Sequence, residues 1–300
     1  MIKNTKIRYC PFCKKNYKNK LFLKKNIEVT KIDSYSFSSR KVPEFMNFNL
    51  LKCNKCSLIY ANSIPNFKKI KKLYYQTNFG STIDAKDAAK TYYIYLKKYL
   101  KLEKKNQALE IGAGNGIFMQ YLQKLGFKKV IGVEPSKKAI SFADKKIKKN
   151  ILHNMFEQIK LKKNSFDLVC CFMTMEHVYE PSKTLEKSYN FLKKNGCIAL
   201  VTHDCDNLLH KILKKKSPII DIEHLQLFSK KSIRNALIKY KFKNVTSINI
   251  KNQYRISYWV NLLPFSLAIK TIILNIFKII KLDSFKIPLN VGNILTLAKK

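Results

Sequence analysis

Apolar and polar positions along this chain fall into blocks that predict strands alternating with helices. Ala108-Leu109-Glu110-Ile111 reads as a strand buried in a parallel sheet. It leads through Gly112, Gly114 and Gly116 into Phe118, Tyr121, Leu122 and Leu125, which recur at helical spacing. Val130-Ile131-Gly132-Val133 is a second strand, closed by Glu134 and followed by Pro135-Ser136. Further strands are expected at Ile151-Leu152-His153, Phe166 to Phe172 and Cys197 to Val201, with a helix from Ser182 to Lys194 before the last. Beyond them come a helix from Lys230 to Tyr240 capped by Ser229, a strand near Val245 to Ile250 and a final strand, Asn293 to Ala298.

Two stretches depart from this rhythm. From Asn62 to Leu100 the pattern is helical and rich in tyrosine, with Tyr74, Tyr75, Tyr92, Tyr93, Tyr95 and Tyr99 on amphipathic faces. Ser257 to Leu282 is strongly apolar, yet Pro264 interrupts it and Lys270, Asn275, Lys278 and Lys281 punctuate it. A membrane span wants about 20 predominantly apolar residues. The expectation is therefore an amphipathic helical insertion, about 254–290, that packs near a ligand pocket or rests on an anionic membrane.

Charge changes the picture less than its size suggests. The chain has 59 basic and 19 acidic residues, a net charge of +40. Such a balance points to nucleic acid or a membrane surface. Arginine, however, which bidentate phosphate and base recognition favours, stands only at Arg8, Arg40, Arg234 and Arg255. The lysines are spread over the whole chain, as solvated exposed faces would be. Met1 to Lys6 contains no apolar core of signal-peptide length, and the expected location is the cytoplasm, with the inner face of the membrane as a place to dock.

Four of the eight cysteines form two C-x2-C pairs, Cys10-Pro11-Phe12-Cys13 and Cys53-Asn54-Lys55-Cys56. Two such turns can enclose a tetrahedral zinc ion, and a small ribbon with little core of its own needs one. The alternative is a redox dithiol, though no thioredoxin-like unit surrounds the pairs. Cys170, Cys171, Cys197 and Cys205 lie in or beside apolar strands and read as buried hydrophobes. The expected organisation is a zinc-ribbon module over 1–62, a helical linker or lid over 63–104 and an α/β domain over 105–300.

Taken together, E-x-G-x-G-x-G at Glu110 to Gly116, V-x-P-S after the second strand, F-D-L-V from Phe166 and E-H-V from Glu176 resemble a class I S-adenosylmethionine-dependent methyltransferase. The resemblance covers Lys105 to Val201 and implies a Rossmann-like seven-stranded sheet of order 3-2-1-4-5-7-6. It implies that Gly112, Gly114 and Gly116 admit the cofactor, that Glu110 faces its amino-acid tail and that Glu134 takes the ribose hydroxyls. An ordinary helix-capping carboxylate is the other reading of Glu134. The slot that binds adenine in relatives falls on Met155, with Phe156 next to it, so Asn154 is expected to bond the base and Met155 and Phe156 to pack on it. Thr174 and Met175 are expected to wall the methyl pocket.

For catalysis His177 is one candidate base, since its pKa lies near neutrality; it could equally shape its loop. A second stretch, Asp221-Ile222-Glu223-His224, is similar to the acceptor-site E-H pair of zinc-containing sugar C-methyltransferases. That likeness implies a sugar or cell-envelope glycan precursor as acceptor, with Glu223 or His224 as base. Asp221 stands where those relatives carry tyrosine. Two other functions compete: an RNA methyltransferase docking through its lysines, and a non-enzymatic zinc-ribbon interaction protein. No N-P-P-Y-like motif supports the first, and the G-x-G-x-G spacing argues against a dehydrogenase. Nothing in the chain indicates its oligomeric state.

Overall fold

The computed structural model describes residues 5–27, 35–37, 43–77, 82–263 and 265–300. Met1 to Asn4 and Pro264, which entered the expectations above, lie outside them. The main sheet has seven strands: β1 Gln107–Ile111, β2 Lys129–Glu134, β3 Ile151–His153, β4 Phe166–Phe172, β5 Leu192–His203, β6 Lys243–Asn249 and β7 Asn293–Lys299. Their spatial order is β3-β2-β1-β4-β5-β7-β6, as expected. β1 to β5 run parallel, and β7 runs antiparallel between β5 and β6.

Strand alternation builds two cores, one on each face. Val169 and Cys171 of β4, with Ile198 and Leu200 of β5, enter the first. Leu168, Cys170 and Phe172, with Cys197, Ala199 and Val201, enter the second. Cys170, Cys171 and Cys197 are thus buried among apolar side chains. The helices Thr82–Tyr99 and Ile117–Lys124 cover the second face through Ala88, Tyr92, Leu96, Phe118, Met119 and Leu122. Asp167, the acid of F-D-L-V, aligns the strands. Its carboxylate accepts the N–H groups of Asn106 and Gln107 (2.9 and 2.8 Å) and an ion pair from Lys193 (2.9 Å).

Several boundaries differ from the expectations. β5 begins at Leu192, with a shift of register between Leu192 and Cys197, so the preceding helix stops at Phe191. β5 also runs on to His203, which carries that histidine to the carboxyl edge of the sheet. The apolar insertion is two helices, Ile256–Leu262 and Leu267–Ile279, closed by the antiparallel strands Asn252–Arg255 and Lys286–Leu289.

The first face is covered by the helices Pro181–Phe191 and Lys230–Lys239 and, beside them, by the cysteine module itself. Cys10, Phe12, Cys53, Cys56, Leu58 and Tyr60 share one core with Leu185, Phe228 and Ile233. The segment Gln226–Leu227 pairs antiparallel with Ile59–Ala61, extending the module's own sheet. Ile219, Ile220, Ile222 and Leu225 pack against Met46, Phe48, Leu50 and Ile64. The change expected near residue 62 is therefore one of secondary structure, while packing runs across it.

Candidate active site

The site lies where parallel strands end, at the carboxyl edge of the sheet. β1 delivers Glu110 and then a turn in which Gly112, Gly114 and Gly116 all hold positive φ (75°, 54° and 71°). Glycine is required at Gly112 for a second reason: an added Cβ would lie 2.3 Å from Thr174 Oγ1. The N–H groups of Gly112 and Ala113 donate to Val133 O (2.9 and 3.1 Å), which ties the turn to β2. Glu134 closes β2 and is 9 % exposed. Its two carboxylate oxygens accept from Gly114 N–H and Ser136 N–H, both at 2.8 Å. Burial pushes its pKa up, against the pull of those two N–H bonds. Ser136 caps the next helix through Ala139 N–H (3.1 Å), as its position predicts. Glu134 nonetheless also braces the glycine turn, which the sequence did not indicate.

Glu110, the glycine turn and Glu134 form one end of a cleft of about 300 Å³. Tyr92, Phe118 and Phe172 make an aromatic wall, with Phe172 lying 4.7 and 5.1 Å from the other two ring centroids. Thr174 lines the cleft with Met173, which holds a positive φ of 48° just past β4. Met175 does not: it is fully buried in the first core. Asn154 and Met155 do not line it either. Asn154 Oδ1 accepts from Met155 N–H (2.9 Å) and Tyr75 Oη (3.2 Å), and Met155 is buried. Tyr74, from the tyrosine-rich helical stretch, reaches the cleft, where burial holds its hydroxyl protonated. Tyr75 stacks on His153 instead, at 4.8 Å.

The other end of the cleft gathers His177, Glu223 and His224. The ring centroids of His177 and His224 are 4.8 Å apart, and one donor atom from each of the three residues falls within 4.8 Å of the others. Each imidazole bonds a main-chain carbonyl through Nδ1: His177 to Glu223 O at 3.2 Å, and His224 to Ile219 O at 2.9 Å. A carbonyl only accepts, so each Nδ1 carries a proton, and in the neutral form of each ring Nε2 keeps the lone pair. The set can accept a proton or ligate a cation.

Buried polar groups fix the two loops. Gln226 Nε2 donates to the carbonyls of Met175, Glu176 and Val178 (2.7, 3.1 and 2.9 Å), bridging the His177 loop to the His224 loop. Arg8, from the cysteine module, donates to Gln226 Oε1 (2.7 Å), Leu225 O and Tyr179 O. Glu176 accepts His203 N–H (2.8 Å), and burial raises its pKa to about 7.

In the cysteine module the Cys10–Cys56 and Cys13–Cys53 sulfurs are 3.5 and 3.9 Å apart, and one sulfur from each of the four lies within 4.8 Å of the rest. A tetrahedral zinc site with Zn–S bonds near 2.3 Å has edges of about 3.8 Å. The donor set fits such an ion. The Cys56 thiol, hydrogen-bonded to Cys10, lowers the Cys10 pKa to about 5, and its own pKa is pushed up.

The sequence profile of a family described as "Methyltransferase domain" matches residues 87–247, more than half of the chain. The chain belongs to this methyltransferase family. Among curated relatives, a tRNA U34 carboxymethyltransferase of Campylobacter fetus is 27% identical over 175 residues, 55% of this chain and 62% of that one. A ubiquinone biosynthesis O-methyltransferase of Pelagibacter ubique is 34% identical over 111 residues, 35% and 43% of the two chains. The chain thus spans less than two thirds of the length of these relatives. Solved S-adenosylmethionine-dependent methyltransferases share the fold. One from Thermotoga maritima is 20% identical, with a TM-score of 0.50 covering 72% of this chain and 91% of that one. One from Archaeoglobus fulgidus is 17% identical, with a TM-score of 0.50 covering 78% and 100%.

This methyltransferase also brings to its cleft residues not singled out from sequence. His203 lies against His224 (ring centroids 5.6 Å apart), and burial, reinforced by the neighbouring histidines, keeps it neutral. Tyr254, Tyr258 and Trp259 form an aromatic wall from the insertion, Tyr254 and Tyr258 stacked with centroids 4.0 Å apart and Trp259 edge-on to both. His203 was findable as the residue ending a parallel strand. The aromatic wall carried no such signal.

Proposed function

We propose that this methyltransferase moves the methyl group of S-adenosylmethionine to a small-molecule acceptor, a sugar or cell-envelope glycan precursor. The observation that carries the reading is the pairing, in one cleft of small-molecule size, of a glycine-and-carboxylate end with a histidine-and-carboxylate end. S-adenosylmethionine supplies an electrophilic methyl on a cationic sulfonium. Glu110 and Glu134 complement its cationic and hydroxyl groups, and Gly112 and Gly114 let the backbone come close. Thr174 and Met173 fill the floor between the two ends. At the far end His224 Nε2 or His177 Nε2 accepts the acceptor's proton, with Glu223 stabilising the imidazolium that forms. Gln226 and Arg8 hold both histidine loops, so much of the rate comes from position. The cysteine set holds zinc in a structural role, because a closed four-sulfur site leaves no open position.

The test is to supply labelled S-adenosylmethionine to a fractionated extract. Label in compounds that pass an ultrafilter or enter an organic phase supports the reading. Label confined to RNA or protein contradicts it. One observation favours a second reading: a curated relative is named for tRNA, and this chain carries +40. RNA modification predicts RNA binding that weakens steeply with salt.

A further inference from the structure

The insertion before β7 turns a row of apolar side chains toward water. Its helix Leu267–Ile279 rests on the protein through half-buried Ile273, Leu274 and Phe277, and buried Lys270 reaches Asn261 O at 2.8 Å. Ile269, Ile272, Ile276 and Ile279 recur at i, i+3, i+7 and i+10 and so share a different stripe. All four are between 46% and 79% exposed. Ile280, Leu282 and Phe285 prolong the exposure. Exposed apolar residues are ordinary singly; a continuous row marks a surface that something covers.

Charge selects the occupant. Lys278 and Lys281 lie along this segment against one acid, Asp283, while Lys286 beyond them is paired with Asp87. A second element has the same character. The helix Leu208–Leu213 exposes Leu208, Leu209 and Ile212 and runs into Lys214-Lys215-Lys216. It is joined to the approach to β7, since Asp204 N–H donates to Gly292 O (2.6 Å) and an added Cβ on Gly292 would meet His210 at 2.7 Å. The cleft is lined by neighbours of these elements, Trp259 and Leu262 of the preceding helix and Val291 and Asn293 of the approach to β7. A second copy of the chain would bring +40 against +40, whereas an acidic lipid surface complements it. Among the described residues no helix is long and apolar enough to cross a membrane, so the fit is to the interface.

We infer that the helices Leu267–Ile279 and Leu208–Leu213 dock this enzyme on an anionic membrane surface, beside which its acceptor cleft lies. The docking stands on the surface alone. Its corollary, an acceptor that is lipid-linked or amphiphilic, rests on the methyl-transfer reading above.

Co-sedimentation of the full chain with vesicles tests the docking without any turnover. Phosphatidylglycerol-containing vesicles are expected to bind at least ~10-fold more tightly than phosphatidylcholine vesicles, and less so as salt rises. The double substitution Ile272→Asp with Ile276→Asp is expected to lose at least ~10-fold of that binding. Because both residues are exposed, its melting temperature and its affinity for S-adenosylhomocysteine should stay those of wild type. No binding to acidic vesicles, equal binding to neutral ones, or an unaffected double variant overturns the inference. So does self-association of the wild type that the double variant abolishes in the absence of vesicle binding, since it seats a second copy on the stripe. If vesicle binding holds and no labelled methyl enters the organic phase, only the acceptor corollary fails.

Discussion

The ring centroids of His177 and His224 lie 4.8 Å apart with the Glu223 carboxylate beside both, and each imidazole has its Nδ1 on a main-chain carbonyl. On the proposed reading this backbone-held pair takes the acceptor's proton. Replacing His224 by Asn should lower turnover by roughly 10²–10⁴-fold, the span of a lost general base. Cofactor affinity should stay within a factor of about two, because the residue stands at the opposite end of the cleft from Glu134. His177→Asn should behave alike if the pair acts as a unit. Single-turnover rates measured beside calorimetric affinities check both, and full activity in both variants would remove the base from this cluster.

Gly112 and Thr174 set the width of the cleft between its two ends. Gly112→Ala places a methyl 2.3 Å from Thr174 Oγ1 at a φ of 75°, at an expected cost of about 1–3 kcal/mol. Thr174→Ala removes the two nearest clashing atoms. The double variant should therefore recover part of the loss and keep the part owed to φ. Denaturant unfolding of the four proteins in the cycle measures both parts.

The cysteine module reaches the histidines through Arg8 and Gln226. Cys53→Ser, or prolonged treatment with a strong chelator, should remove one zinc per chain by elemental analysis. It should also lower the melting temperature of the whole protein, since the cysteines share a core with Phe228 and Ile233. Gln226→Leu should take the side-chain donor from the Met175 and Val178 carbonyls, Glu176 O keeping the N–H groups of Leu225 and Gln226, at roughly 1–3 kcal/mol in stability, and depress turnover more than cofactor affinity. Unchanged turnover in a folded Gln226→Leu protein would uncouple the module from the site.

Glu176 makes a pH prediction with a definite sign. Burial raises its folded pKa to about 7 from an ordinary value of 4.5. The folded state then binds the proton more tightly than the unfolded state between those values. Stability contributed by the protonated form is complete below pH 4.5 and is lost as pH rises to about 7. Glu176→Gln cannot lose it. The variant should gain on wild type across that window, by up to ~3 kcal/mol, and the gain should level off above it. His210, which burial holds down to about 4, works in the opposite direction. Taking the difference between the two proteins cancels its contribution. A difference that stays flat with pH would mean that Glu176 is solvated.

How much was legible from sequence follows from where each signal resides. The strand order and the glycine turn were readable because apolar runs, glycines and strand-end acids lie next to one another in the chain. His177, Glu223 and His224 were picked from separate stretches and do meet. Asn154 and Met155 were placed by counting to a slot, and counting cannot see that Asn154 Oδ1 turns to its own neighbour's N–H and to Tyr75. The joining of the cysteine module to the 219–227 segment was hidden for a different reason. It rests on a two-residue strand pairing Gln226 with Tyr60, too short and too remote in sequence to leave a pattern. Tyr254, Tyr258 and Trp259 read only as part of an apolar insertion, because the hairpin that turns them toward the cleft forms with Lys286–Leu289.

The central claim is that S-adenosylmethionine sits between the glycine turn and Glu134. Calorimetric titration of S-adenosylhomocysteine into wild type and Glu134→Ala tests it most directly. The account predicts one site per chain in the wild type and a loss of at least ~100-fold in affinity in the variant, which forfeits both a ligand contact and the brace on Gly114. Wild-type protein that takes up no ligand, or a folded Glu134→Ala that binds as tightly as wild type, would contradict it.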